Sequence, residues 1–125
     1  MSSFSWYYAT FVSDPVAAAT YYGEPTLVVL SDEVVSLTTQ KEVEAFLRKG
    51  RDGLIARGYR NTVMKPSRIK RLNRTTALYG PIADRMKADG TVLERAGFTY
   101  LLHRGNNGWK IHELIATDVD SMVDA

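Results

Sequence analysis

Asp89-Gly90 is the feature that most restricts what this chain can fold into. An Asp-Gly pair between two alternating runs is a strong short-range hairpin signal, because glycine supplies the positive φ that a tight turn needs. It predicts strands over roughly 75–88 and 91–104, and Gly105-Asn106-Asn107-Gly108 marks a second, longer turn into a strand over 109–117. With Asp89-Gly90 as the turn, Ala88 opposes Thr91, Met86 opposes Leu93, Arg85 opposes Glu94, Asp84 opposes Arg95, and Tyr79 opposes Tyr100. An irregular strand around 62–72 is interrupted by Pro66, which places it at an edge or a bulge.

Strict alternation then sorts these strands into two faces. One carries Asp84, Arg95, Gly97, Thr99, Leu101 and His103, joined from the last strand by His112, Leu114 and Ala116. The other carries Tyr79, Arg85, Glu94, Phe98, Tyr100, Trp109 and Ile111. Both are too apolar to face water. The small residues of the first suit a cavity beneath helices, and the aromatics of the second suit an association surface. Tyr79, Phe98, Tyr100, Trp109 and Ile111 are therefore the expected interface of a homodimer; the alternative is a sheet that curls so that its own loops bury them.

The first third of the chain supplies the helices. Phe4, Tyr7, Tyr8 and Phe11 recur at helical spacing, predicting a helix over 3–12. Asp14-Pro15 caps and starts a second over 15–22, ending at Gly23. Thr26–Leu30 and Val34–Leu37 read as two short strands. Thr39-Gln-Lys-Glu42 is a capping box, opening a long helix with Val43, Phe46, Leu47, Gly50 and Leu54 on its buried stripe and Arg57-Gly58 at its end. Gly50 on that stripe implies a close approach to the sheet. The fold class is thus α+β in a single domain, 1–125, which one core of ordinary size can support.

The absence of cysteine removes disulfides and thiolate chemistry, and no apolar run reaches the roughly 18 residues of a membrane helix. The N-terminal residues lack a secretory pattern, so the expected location is the cytoplasm. No phosphate loop, nucleophile elbow or zinc-ligand spacing occurs, and no cofactor is expected. Residues 48–74 hold ten Lys or Arg against one Asp, which raises a polyanion partner. Arg48 at helical spacing from Glu44 and Asp52, charges suited to an edge strand, and the lack of interleaved aromatics other than Tyr59 argue against nucleic acid.

An aromatic first helix, an Asp-capped second one ending Tyr-Tyr-Gly-Glu-Pro25, a Thr-capped long helix and a sheet finishing Gly108-Trp-Lys-Ile111 follow one another in an order that resembles the nuclear transport factor 2-like (SnoaL-like) superfamily. The resemblance spans nearly the whole chain. It implies a cystatin-like cone, a curved antiparallel sheet with N-terminal helices packed on its concave face, enclosing a pocket for a small apolar organic ligand, often in sheet-to-sheet dimers. Members include isomerases, cyclases, dehydratases, epoxide hydrolases and non-catalytic binding modules. The resemblance puts Leu101 where isomerase-like members carry a proton-moving Asp. Of the epoxide-hydrolase Asp-Arg-Asp set, only Asp84 and Arg95 are present.

Candidate catalytic residues for proton transfer are therefore Asp84, His103 and His112, with Tyr8, Arg95 and Thr99 as ligand-binding candidates. Arg95 can hold Asp84 ionised, though a pair near a hairpin end is equally a solvated cross-strand contact. His103 and His112 are diagonal neighbours on one predicted face; a third ligand is lacking, so no metal is assigned and two ordinary histidines are the alternative. Trp6, Tyr7, Tyr21 and Tyr22 can line the mouth of a pocket with Tyr8, or belong to the core.

Overall fold

The protein is described by a computed structural model over residues 14–65 and 67–122. The predicted helix over 3–12 and Tyr8 lie outside the described residues. Asp14 caps the helix α1 (Pro15–Ala19), its carboxylate accepting from the Ala17 amide at 3.1 Å, and Pro15 sits where an amide would have no partner. The helix stops short of the expected residue 22. The Ile111 amide donates to the Tyr21 carbonyl at 2.9 Å, and this sheet pairing draws Tyr22 and Gly23 into β1 (Tyr22–Val29).

β2 (Val34–Leu37) returns antiparallel to β1, with Thr26 opposite Leu37. Thr39 then caps α2 (Gln40–Ala56), accepting from the Glu42 amide at 3.2 Å. The Glu42 carboxylate reaches the Thr38 hydroxyl at 2.8 Å and the Thr38 amide at 3.4 Å, so the box closes one residue early. Val43, Leu47 and Leu54 form the buried stripe of α2 as the spacing predicts. Gly50 does not: a side chain there would meet no atom of the described residues within 4 Å, so α2 stands away from the sheet at this point.

Six strands follow: β3 (Tyr59–Met64), β4 (Arg68–Arg71), β5 (Thr76–Gly80), β6 (Ile82–Lys87), β7 (Val92–Gly105) and β8 (Gly108–Thr117). They join the first two in one sheet ordered β2-β1-β8-β7-β5-β4, with β6 also on β7 and β3 on β6. All pairs are antiparallel except β1 with β8. The predicted strand 75–88 is two strands because Pro81, which has no amide to donate, interrupts it.

The register from the hairpin turn holds along most of its length: Arg85 opposes Glu94, Asp84 opposes Arg95 and Tyr79 opposes Tyr100. Near the turn it differs. Gly90 donates to Lys87 and Lys87 to Thr91, making a three-residue loop, and Met86 faces Val92, leaving Leu93 as a bulged residue. A second bulge falls at His112, since Leu101 opposes Glu113 while Leu102 opposes Ile111. That extra residue reverses the parity of β8: Ile111 shares its face with Leu114, and not with Glu113 and Ile115 as uninterrupted alternation requires.

On β5, β6 and β7 the inward face is also the opposite of the one expected. Tyr79, Tyr100, Leu102, Ile111 and Leu114 form the core with Tyr22, Val28, Leu37, Val43, Leu47, Ala18 and Ala19, and Phe98 and Trp109 pack against it. Tyr100 is 2 % exposed and Ile111 0 %. Three residues of the expected association surface, Tyr79, Tyr100 and Ile111, are thus buried in the chain's own core. Rings fit there because the helices leave more room than small residues fill; Tyr100 lies 6.0 Å from Phe98, stacked, and 5.9 Å from Tyr79.

Gly23 shows how closely β1 and the β8 bulge approach. A methyl group on its Cα would overlap the His112 imidazole, whose Nδ1 is held 2.8 Å from the Pro25 carbonyl. Gly23→Ala is expected to destabilise the fold by about 1–3 kcal/mol. Denaturant melts of Gly23→Ala, His112→Ala and the double variant check this: relief of the Gly23→Ala loss in the His112→Ala background is the expected outcome, and additive losses would refute the contact as its cause.

Candidate functional site

Between α2 and the inner face of the sheet lies a cavity of about 680 Å³. Phe46, Leu47, Leu54, Phe98, Tyr100 and Leu114 give it apolar walls, and Leu30, Glu33 and Val35 close it at the β1–β2 end. Gly50 and Gly53 line it from α2, and among the described residues a Cβ at either would touch nothing within 4 Å. Each glycine costs about 1 kcal/mol in a helix interior relative to alanine. Their effect here is to leave open the space that two side chains would occupy.

The cavity wall also carries charge. Arg85, beside the aromatic rings on the inner face, donates from Nη1 to Glu94 at 2.7 Å and places its guanidinium carbon 5.3 Å from the Phe98 ring centre. Arg57, at the C-terminal end of α2, reaches the other Glu94 oxygen at 3.4 Å. Burial works against ionisation of Glu94, but the hydrogen bonds and charges of Arg85 and Arg57 outweigh it, so its carboxyl titrates below the ordinary value. Among the described residues, Arg57, Arg85 and Lys49 line the cavity against one acid, Glu33.

The residues expected to be catalytic do not line this cavity. Asp84 and Arg95 are brought together as the register predicts, but on the opposite face, with Arg95 donating from Nε at 2.7 Å and from Nη2 at 3.1 Å. Lys65 adds a second cation 3.4 Å from Asp84. His103 and His112 are also adjacent, with ring centres 6.0 Å apart and one edge toward the other, and also away from the cavity. Thr99 engages Thr117 at 2.8 Å on the outer side. Leu101 points outward too, and its inward neighbours Tyr100 and Leu102 leave no carboxylate at that point of the wall. Among the described residues, Asp84 is the only buried acid, and no group of three His, Asp or Glu side chains is placed to hold a metal ion. Tyr22 is core, and Tyr21 packs against it.

The basic stretch is dispersed. Asp52 is held by Arg51 at 3.0 Å in place of Arg48, Arg57 serves Glu94, Lys65 serves Asp84, and Arg71 lies 5.0 Å over Trp109. Tyr59, the one aromatic among those charges, is buried. Sequence inspection passed over Arg85, Arg57 and the glycine pair as site residues. The signal was present in part, since an Arg among Tyr and Phe on an apolar face is itself unusual.

The hydrogen bond from Arg95 holds the Asp84 carboxyl below the ordinary range; burial opposes this, and Lys65 reinforces it. A depressed folded-state pKa contributes stability at pH values above the unfolded-state value, and that contribution disappears as pH falls through the folded-state value. The stability difference between the wild type and Asp84→Asn is therefore expected to be greatest near neutrality and to shrink below about pH 4. Urea titrations from pH 7 to pH 3 measure it, and a difference independent of pH would exclude the ion pair as its source.

Solved structures share this architecture at low identity. A protein of unknown function with a cystatin-like fold from Nostoc punctiforme superposes with a TM-score of 0.75 at 11% identity, covering 93% of this chain and 85% of that one. An NTF-2 like protein of unknown function from Shewanella oneidensis MR-1 gives 0.72 at 16%, covering 92% and 93%. The yeast UBP3-associated protein BRE5 gives 0.71 at 16%, covering 99% and 93%. No curated protein matches the sequence. Residues 1–119 match the family described as NTF2-like protein (DUF6841), and the chain belongs to that family.

Proposed function

We propose that the protein binds a small organic molecule between α2 and the inner face of the sheet, and that it does so as a binding protein and not through proton-transfer catalysis by Asp84, His103 or His112. The observation that carries this reading is the cavity of about 680 Å³, within the range of small-molecule sites, walled by aromatic and aliphatic side chains and kept open by Gly50 and Gly53. A domain filled by its own side chains would close such a space, because each unfilled apolar void costs stability. That Asp84, His103 and His112 are not among the residues lining it supports binding over proton transfer by these three.

The neutral fluorophore N-phenyl-1-naphthylamine, which brightens in apolar surroundings, serves as the probe. Wild-type protein is expected to enhance its emission saturably. Gly53→Leu, whose side chain extends into open space, is expected to weaken binding by about tenfold or more, equivalent to about 1.4 kcal/mol. The same variant is expected to be as stable as the wild type or up to about 1 kcal/mol more so, since it removes a helix-interior glycine. Equal probe binding by both proteins, or none by the wild type, would refute the cavity as the binding site.

A further inference from the structure

We infer that the ligand of this cavity is a carboxylic acid with an apolar body, its carboxylate taken by Arg85; this deepens, and rests on, the reading of the cavity as a binding site. Glu94 is shared by Arg85 and Arg57, so two guanidiniums meet one carboxylate and the cluster keeps a net positive charge. Of the five N–H donors of Arg85, only Nη1 has a protein acceptor among the described residues. Glu94 fixes one edge of the guanidinium and Phe98 covers one face. What remains is a preoriented planar fork in a wall otherwise made of Ala83, Phe98, Tyr100 and Leu114. Such a fork matches a carboxylate in geometry as well as charge.

The charge is also placed at one end. Glu33 belongs to the β1–β2 turn, while Arg85 is on β6, with β8 and β7 between β1 and β6 in the sheet. Three strand spacings amount to roughly 14 Å across the sheet. An anion at Arg85 is therefore remote from Glu33, the one acid that lines the cavity among the described residues, and its apolar body extends along the rings and toward α2. A ligand with no acceptor at this point would leave donors of Arg85 unpaired in a half-enclosed site, and among acceptors a carboxylate matches the fork in charge as well as in geometry.

Matched probes decide the matter. Naphthalene-1-acetate and naphthalene-1-acetamide share one apolar body and differ in charge; each is titrated as a competitor against protein-bound N-phenyl-1-naphthylamine. The acetate is expected to displace it at about tenfold lower concentration than the amide, with a preference that declines as sodium chloride is raised. Arg85→Met is expected to abolish the preference while retaining N-phenyl-1-naphthylamine binding, and Arg85→Lys to keep a reduced one. Equal displacement by the two competitors in the wild type overturns the anion assignment on its own, whatever the variants do, and leaves the cavity reading intact. No fluorophore binding by the wild type overturns both.

Discussion

The hydrogen-bond ladder of β7 is the constraint on which the rest of the structure depends. Fourteen residues long, it pairs with β8 along one edge and with β6 and then β5 along the other. Backbone groups inside a sheet must all be paired, so its neighbours are fixed in register wherever β7 is regular and adjust wherever it is not. Pro81 splits its second partner in two, Leu93 absorbs one extra residue, and opposite Leu101 and Leu102 the β8 strand absorbs another at His112. These local irregularities determine which side chains α2 meets.

Much of this was legible beforehand, for physical reasons that can be named. Caps at Asp14 and Thr39 are local: a side-chain oxygen and an amide three residues on suffice to specify them. The pairing of Arg85 with Glu94 and of Asp84 with Arg95 follows from a turn within a few residues of them. What escaped is nonlocal. The bulge at His112 depends on Gly23 leaving room for its imidazole and on the Pro25 carbonyl that holds it, some 87 residues away in sequence. Alternation carried across that bulge puts Glu113 and Ile115 inside and leaves Leu114 outside, the reverse of what the chain does.

The assignment of the two faces failed for a related reason. Small residues suggested room, and aromatic residues suggested a surface for association, yet α2 stands far enough from the sheet for Tyr79, Tyr100 and Phe98 to fill much of the interval. Asp84 and Arg95 then fall outside, where Lys65 and Arg95 neutralise a buried carboxylate and give it a structural role. Arg85 falls inside, where its charge and that of Arg57 together exceed what Glu94 can balance. Reversing the faces exchanges the roles of neighbouring residues: the pair that looked chemical lies away from the cavity, and Arg85, from the pair that looked incidental, lines it.

Gly50 and Gly53 give the molecule a kind of aperture that is set independently of its scaffold. Both lie on α2, between the residues that anchor it to the sheet, and neither touches the sheet itself. A side chain introduced at either position narrows the cavity while leaving Val43, Leu47 and Leu54 in place. On the proposed binding reading, guest size and folding become separately heritable traits: a single codon narrows the opening without a compensating change elsewhere, so chains built on the same frame can diverge in what they accept while remaining equally well folded.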